Sequence, residues 1–389
     1  PFRRDGSPAP SCESAFRYPT SPSQKGANAM GGRVSSVPGM SVWSPRAGAR
    51  GKLATTGDLT IGSELDPCLM PNTEKRSGPL GVAAPDSLGV ACRKGRKPKS
   101  VPNQDAWCAR ISEGDMSALG VFDGHGEAGH LVSHAVKSGM LDDLTCAARS
   151  GDDVTAVVED CYRRAHRKVC GSWRLKAWDS GTTATVVVHD VPQQRLVVSH
   201  VGDSGAVLLR RSPQGLVAES LTCDHRPELE GERARIEAAG GRVFFDGRCH
   251  RAVDPRGGVA LNMSRSLGDA AAHVAGVSAQ PAVAVRELRP DDVAVLIASD
   301  GLWDVISPEA AAQLLNRFPP DEAAKAAAML ADEAMARWLR RTNGKAADDI
   351  TVVLGWLQSS AAPLDREDTC STEAPLSPLT TSASVSPRA

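Results

Sequence analysis

The chain has 389 residues, of which 41% are hydrophobic and 23% are charged, and its formal net charge is −1. This composition is typical of a globular protein that can bury a full core, and the charge gives no reason to expect a nucleic-acid or membrane-surface partner. The ten cysteines form no Cys-x-x-Cys pair. We therefore expect reduced thiols in an intracellular protein, cytoplasmic or nuclear, rather than a zinc knuckle or a disulfide framework.

Three segments differ in composition along the chain. Residues 1–90 are rich in Ser, Pro, Gly and Ala without helical or strand periodicity, and we expect them to be disordered. Residues 91–358 combine β-type apolar runs with amphipathic patterns and are predicted to form the folded domain. Residues 359–389 are again of low complexity, rich in Ser, Thr and Pro, and are predicted to be a disordered tail.

Local patterns predict short strands and amphipathic helices in the central segment. Apolar, β-branched runs predict strands at 119–121, 183–189, 196–201, 206–209, 293–298 and 350–354. Apolar residues at helical spacing predict helices over 154–169, 228–239 and 327–338. Because the strands occur in groups and do not alternate strictly with helices, the pattern favours an α+β fold of layered antiparallel sheets with helices outside. No run is long enough to span a bilayer.

Four aspartates stand where predicted strands begin or end. Asp123, Asp203 and Asp300 follow apolar runs, and Asp348 comes just before the last one. Each of them alone can be a turn former, since Asp and Asp-Gly are common in turns. If they converge at one sheet edge, however, four carboxylates would repel one another unless cations neutralised them.

Such a cluster predicts a site for hard divalent cations. Oxygen donors select Mg²⁺ or Mn²⁺ over zinc, and Gly124 lets the backbone approach closely enough to offer its carbonyl. Two such ions, about 3.5–4 Å apart, can activate a water and hold a phosphoryl oxygen, which suits the slow hydrolysis of phosphate monoesters. His125 is a candidate to protonate the leaving oxygen. The alternative is a histidine that only hydrogen-bonds a neighbouring acid.

Eight motifs resemble, in order, those of the protein phosphatase 2C family, the metal-dependent protein phosphatases. The resemblance extends from about Asn103 to Leu357. The motifs are Asn103-Gln104-Asp105, Phe122-Asp123-Gly124-His125-Gly126, Ser180-Gly181-Thr182-Thr183-Ala184, His200-Val201-Gly202-Asp203-Ser204, Asp224-His225-Arg226-Pro227, Met263-Ser264-Arg265-Ser266-Leu267-Gly268-Asp269, Ala298-Ser299-Asp300-Gly301-Leu302-Trp303-Asp304 and Asp348-Asp349-Ile350-Thr351-Val352. An ordered series of this length is far more specific than a lone Asp-Gly-His.

The resemblance implies a fold and an activity. The fold would be a central sandwich of two antiparallel sheets flanked by helices, and the activity would be hydrolysis of phosphoserine and phosphothreonine on other proteins. Phosphorylated proteins would be the partners, with no nucleic acid, and we expect a monomer. One alternative is a pseudophosphatase that binds a phosphoprotein or a signalling partner without turnover. Another is a metal-dependent hydrolase of small phosphate esters.

The resemblance also assigns the acids to metal sites. Asp123 would bridge two Mg²⁺ or Mn²⁺ ions, and the Gly124 carbonyl would bind the second of them. Asp300 and Asp348 would complete the first site. The residues implied for a third, weaker site are Asp203, Asp300 and Asp304.

Three residues would take a direct part in catalysis by the same resemblance. Asp123 would hold both metals, Asp105 would act through metal-bound water, and His125 would be the general acid. The segment that follows Asp269 would correspond to the variable flap of the family, which contributes to substrate choice.

Departures from the family pattern affect the charge near the phosphate. Many members carry an acidic residue at the position of Gln104 and a phosphate-gripping arginine at the position of Ser100. Lys97 or Lys99 can substitute for that arginine, as a point charge rather than a bidentate fork. Lys99 is the preferred phosphate-binding candidate because it adjoins Ser100. Asp349 stands where asparagine is common.

Overall fold

Strands and helices occur in groups along the part of the chain that the computed structural model describes, residues 59–62, 87–112, 114–149, 153–254 and 260–357. The strands, in chain order, are β1 (Leu59–Gly62), β2 (Leu88–Arg93), β3 (Asp105–Ile111), β4 (Met116–His125), β5 (Gly181–Thr182), β6 (Ala184–Asp190), β7 (Arg195–Val201), β8 (Gly205–Ser212), β9 (Gly215–Ser220), β10 (Arg242–Phe245), β11 (His250–Val253), β12 (Ala260–Leu261), β13 (Leu267–Gly268), β14 (Ala282–Glu287), β15 (Asp292–Ala298) and β16 (Ile350–Trp356). The helices are α1 (Gly129–Arg149), α2 (Val154–Cys170), α3 (Glu230–Ala238), α4 (Ala270–Val274), α5 (Asp300–Trp303), α6 (Pro308–Leu315) and α7 (Ala323–Arg341).

Antiparallel pairing assembles these strands into two large sheets and a small one. The larger sheet has the order β1-β3-β4-β6-β7-β14, and β5 joins it by pairing with both β4 and β13. The second sheet is five-stranded, in the order β2-β16-β15-β8-β9. The small sheet, β10-β11-β12, lies within the stretch that connects β9 to β13.

The core lies between and outside the two large sheets. Side chains alternate between the faces of a strand, so that Leu119 and Val121 of β4 pack with Val295 and Ile297 of β15 in the inter-sheet layer. Phe122, on the opposite face of β4, packs with apolar residues of α1 and α2. The outer face of the second sheet is covered in the same way by α6 and α7. The predicted α+β class, a sandwich of two antiparallel sheets flanked by helices, is confirmed.

The helix ends follow local capping rules. The Asp153 side chain accepts the N–H of Thr155 at the start of α2, and Ser307 caps α6 in the same manner. Helix α3 ends before Gly240, whose φ of +86° is accessible to glycine at low cost. The helices predicted over 154–169, 228–239 and 327–338 correspond to α2, α3 and part of α7.

The described structure begins earlier than residue 91. Strand β1 lies within the segment 1–90, for which disorder is predicted, and pairs with the edge of β3. Strand β2 starts at Leu88, which is buried. Gly89 packs so closely on the start of α7 that a Cβ there would lie 1.9 Å from the Ala323 carbonyl oxygen. Residues 1–58, 63–86 and 358–389 lie outside the described part, so the predictions for them stay predictions.

Within the described ranges, none of the helices combines the length and the apolar character that crossing a membrane requires.

Candidate active site

Sheet pairing places Asp105 and Asp123 side by side. Strands β3 and β4 run antiparallel with Asp105 opposite Asp123. The backbone of Asp123 is fixed from the other side, because its N–H donates to Thr183 Oγ1 (2.9 Å) and its carbonyl accepts from Thr182 Oγ1 (3.0 Å). The two carboxylates therefore meet at one end of the larger sheet.

Two further acids come from the second sheet. Strand β15 ends just before Asp300 and β16 begins just after Asp348, and the antiparallel pairing of these strands brings both acids to one edge. Ser299 connects this edge to the other sheet. Its hydroxyl donates to Asp105 Oδ2 (2.8 Å) and accepts the N–H of Thr351 (3.0 Å).

The remaining predicted metal ligands lie around this edge. Asp203, between β7 and β8, is buried, and its Oδ2 contacts Arg226 Nη1 at 3.2 Å and Asn262 Nδ2 at 3.4 Å. Asp304 follows α5 and is exposed, and its backbone carbonyl accepts from Arg341. The structure thus brings Asp203 into the carboxylate cluster and leaves Asp304 at its rim.

Burial, with added repulsion from neighbouring carboxylates, raises the pKa of the acids. Burial, together with the Asp105 and Asp300 carboxylates, raises the pKa of Asp123 well above its usual value, and burial with Asp203 and Asp348 does the same to the pKa of Asp300. Burial and the neighbouring Asp349 raise the pKa of Asp105 to about 7. Burial also raises the pKa of Asp203 to about 6, although Arg226 opposes the shift. These residues, far apart in sequence, therefore face one another.

The donor set fits hard divalent cations. Asp105 Oδ1 and Asp203 Oδ1 are buried and have no hydrogen-bond partner among the described residues. Gly124 must be glycine, since a Cβ would lie 2.4 Å from the Gly129 carbonyl oxygen. In the described ranges no group of three His, Cys, Asp or Glu side chains is positioned, as it stands, to hold a metal ion. Repelling carboxylates with unpartnered oxygens are what Mg²⁺ or Mn²⁺ would draw together.

His125 ends β4 beside the acids and forms a pair with Asp269. Its Nε2 lies 2.7 Å from Asp269 Oδ2, and Ser266 Oγ donates to the same oxygen at 2.5 Å. Burial favours the neutral ring, but the Asp269 carboxylate outweighs it and raises the pKa of His125. A Cβ on Gly181 would lie 1.9 Å from Asp269 Oδ2, so this pair fits only against glycine. Asp269 lies in one of the eight motifs, but its sequence context predicts no role for it.

Comparisons with known proteins agree with this geometry. The family described as Protein phosphatase 2C matches residues 101–341. "Probable protein phosphatase 2C 73" of Arabidopsis thaliana is 33% identical over 319 residues, which cover 74% of this chain and 83% of that protein. "Probable protein phosphatase 2C 48" of Oryza sativa subsp. japonica is 34% identical over 313 residues, 72% of this chain and 86% of that one.

The chain belongs to the protein phosphatase 2C family. It is accordingly a protein serine/threonine phosphatase, of a family that is metal-dependent in general. The fold agrees as well. The crystal structure of serine-threonine phosphatase 2C from Toxoplasma gondii matches with a TM-score of 0.60 and 24% identity, over 70% of this chain and 94% of that chain.

In this protein phosphatase 2C the basic segment before β3 is anchored by Asp349. The buried Asp349 carboxylate accepts from Gly95 N (2.7 Å), Gln104 N (3.0 Å) and Lys97 Nζ (2.9 Å). Lys97 Nζ also lies 2.9 Å from Asp348 Oδ1. Lys99, which the sequence favoured, is exposed and has no hydrogen bond or ion pair with any described residue. The structure therefore brings Lys97, and not Lys99, to the carboxylates.

A side wall of the phosphatase site is formed by the small sheet β10-β11-β12. A cavity of about 310 Å³ lies beside it, lined in part by Phe245, His250 and Asn262. Because Asn262 also contacts Asp203, the cavity adjoins the acids. The segment after Asp269, which the sequence analysis equated with the variable flap, instead forms α4 and then β14 of the larger sheet.

Proposed function

We propose that this phosphatase hydrolyses phosphoserine and phosphothreonine on protein substrates at the edge where its two sheets present their aspartates. The observation that supports the proposal most is that Asp105 and Asp123 of one sheet and Asp300 of the other share one mutually repelling cluster, in which Asp105 is buried and the other two are half-buried. A structural role alone does not account for such a cluster, because every member is less stable as a carboxylate there than in water.

The acids at this edge would hold two Mg²⁺ or Mn²⁺ ions. The groups that would bind them are the Asp123 carboxylate, the Gly124 carbonyl, Asp300 and Asp348, with Asp105 beside them; those around a third, weaker position are Asp203, Asp300 and Asp304. When bound, such ions supply a Lewis acid at the phosphoryl oxygens and lower the pKa of a water.

The pair of His125 and Asp269 supports general acid catalysis. Asp269 holds Nε2 and favours the protonated ring, so that Nδ1, which is buried and has no described partner, is the nitrogen able to donate. The proton would go to the leaving serine or threonine oxygen. Asp269 is then a positioning residue, because it acts through the imidazole.

Lys97 is placed to face a phosphate at the cluster, because its ammonium contacts both Asp348 and Asp349. It is half-buried, and two carboxylates raise its pKa in spite of burial, so its ammonium stays charged. Lysine offers a point charge where an arginine would offer two parallel hydrogen bonds. None of the observations on the described residues favours the binding-only alternative, since the predicted acids lie at the edge or at its rim.

The test is dephosphorylation of a phosphothreonine peptide by the full chain with Mn²⁺ or Mg²⁺. We expect activity that EDTA abolishes and okadaic acid does not affect. Asp123→Asn and Asp300→Asn should each lose most of it, whereas Asp321→Asn, a matched change of an exposed acid in a remote 3₁₀ turn, should not. Activity that persists in EDTA or in both cluster variants would refute the proposal.

A further inference from the structure

Two tryptophans are displayed to solvent on the connection between α2 and β5. Trp173 is 84% exposed and Trp178 is 65% exposed, and Val274 at the end of α4 is 66% exposed. Single exposed apolar residues need no explanation, but tryptophan is the residue most enriched at the energetic centres of protein interfaces. A short segment that exposes two of them is a candidate contact surface.

This connection is held in place by its backbone and its apolar residues. Trp173 begins a 3₁₀ turn, and Ala177 further along is buried in the core beneath α1 and α2. The carbonyls of Ala177 and Trp178 accept the N–H groups of Ala270 and Ala271, each at 2.9 Å. The tryptophans are therefore presented by a fixed scaffold, so little ordering would be required on binding.

The same connection adjoins the catalytic side of the site. Lys176 Nζ lies 2.6 Å from Glu127 Oε1, two residues after His125. Gly181 pairs with His125 in the sheet. Trp178 comes only three residues before Gly181, so the Cα atoms of Trp178 and Gly181 are at most about 10 Å apart. A polypeptide whose phosphorylated residue sits at the acids can therefore reach this surface within a few residues.

Basic side chains lie close in sequence to the two exposed tryptophans. Arg167 and Lys168 lie in the last turn of α2, and Arg174 follows Trp173; all three are exposed and make no ion pair with a described residue. The Arg174 guanidinium lies 5.5 Å from the centroid of the Trp173 ring. Residues 167–180 carry four cations, since Lys176 adds to these three, and one acid, the exposed Asp179, so the segment has a local excess of positive charge. It is complementary to an acidic polypeptide and not to a basic one.

We propose that these residues form a docking surface for an acidic segment of the phosphoprotein substrate that also carries large apolar side chains. The apolar members are Trp173, Trp178 and Val274, and the basic members are Arg167, Lys168 and Arg174. The inference rests on the proposed function, since it is the phosphate at the acids that brings this segment alongside. Apolar contact supplies affinity, and the charges supply selectivity and a faster encounter.

The test uses matched phosphothreonine peptides and the full chain. One peptide is minimal, and two others carry an added segment of Asp, Glu, Leu and Phe on either the N-terminal or the C-terminal side. For one of the extended peptides, we expect KM to rise about tenfold in the double variant Trp173→Ser/Trp178→Ser and in Arg167→Glu/Lys168→Glu. Turnover of the minimal peptide and of p-nitrophenyl phosphate should stay unchanged. The matched control is Arg211→Glu/Val217→Ser, which alters exposed residues of β8 and β9.

Other outcomes separate the two proposals. If the unaltered chain does not hydrolyse the minimal phosphothreonine peptide with Mn²⁺ or Mg²⁺, the proposed function fails, and tryptophan fluorescence with the unphosphorylated extended peptide in EDTA still tests docking. An unchanged KM in both surface variants, with no fluorescence response to the peptide, would overturn the docking surface. It would equally be overturned if the variants changed only self-association in sedimentation, or only binding to vesicles of anionic lipid.

Discussion

Replacing Lys97 by methionine tests how the basic segment is held at the acids. Methionine keeps the length and apolar stem of lysine and removes the charge. The change takes away the ion pairs with Asp348 and Asp349, each 2.9 Å long. Asp349 keeps its bonds from Gly95 and Gln104, but it becomes a buried carboxylate without a counter-charge.

The cost follows from the burial of the two partners. Asp349 has a side chain that is 2% exposed, and that of Lys97 is 28% exposed. Breaking a fully buried pair costs about 3–5 kcal/mol, and losing one hydrogen bond to a charged group costs about 1.5–3 kcal/mol. Because the lysine is partly solvated, we expect about 2 kcal/mol of lost stability, below the range for a fully buried pair and within the range for one hydrogen bond to a charged group.

Urea unfolding of the full chain in EDTA measures this cost without interference from bound metal. The matched control is Lys99→Met, two residues away and exposed, for which we expect a change within about 0.5 kcal/mol. In the double variant Lys97→Met/Asp349→Asn the loss should be smaller than the sum of the single losses, because the two side chains interact. Equal midpoints for Lys97→Met and Lys99→Met would refute the reasoning.

Three further predictions concern acid–base groups and packing. His125→Gln should slow turnover of a phosphothreonine peptide by about 10²–10⁴-fold and spare p-nitrophenyl phosphate, whose leaving group needs little protonation; equal losses would mean a purely structural histidine. Gly181→Ala should lower stability by about 1–3 kcal/mol and reproduce the substrate pattern of His125→Gln, since the added methyl displaces Asp269; normal activity would contradict the packing. Burial alone would raise the pKa of Glu232, but hydrogen bonds from Arg265 and Arg235 lower it from 4.5 to about 2. The stability that the Glu232 carboxylate contributes is therefore complete above pH 4.5 and is lost as the pH falls toward 2. The unaltered chain should exceed Glu232→Gln in free energy of unfolding by about 3 kcal/mol at pH 6, and this difference should shrink between pH 4.5 and pH 2. A difference that stays constant over this range would refute the prediction.

Buried strands were the part of the fold that local sequence could predict. The run 293–298 lies within β15 and 183–189 overlaps β6. A strand buried on both faces keeps a nearly continuous run of apolar and β-branched residues, and such runs are visible in the sequence. The small sheet was missed. In its strand β10 only Val243 packs against a small apolar cluster, while Phe244 and Phe245 are exposed, so the strand shows neither an apolar run nor an alternation.

The candidate site was predictable where a motif follows a strand, and not where a contact crosses the chain. Asp123 and Asp300 could be singled out because each directly follows an apolar run. The partnership of Asp269 with His125 joins residues 144 positions apart, and nothing local indicates it. The choice between Lys97 and Lys99 depends on the irregular backbone before β3, which is set by hydrogen bonds to Asp349.

The link that Ser299 makes between the two sheets also bears on when the enzyme becomes competent during synthesis. Its bond to Asp105 spans 194 positions, and Asp349 holds Gln104 across 245. Strand β16 lies inside the second sheet, between β2 and β15, although it is made after both of them. Closing a long loop costs conformational entropy, so contacts between residues this far apart in sequence form late in folding. A nascent chain that has not yet released residue 356 from the ribosome therefore has neither a closed second sheet nor an assembled site. Only chains translated through that point could remove phosphate from other proteins.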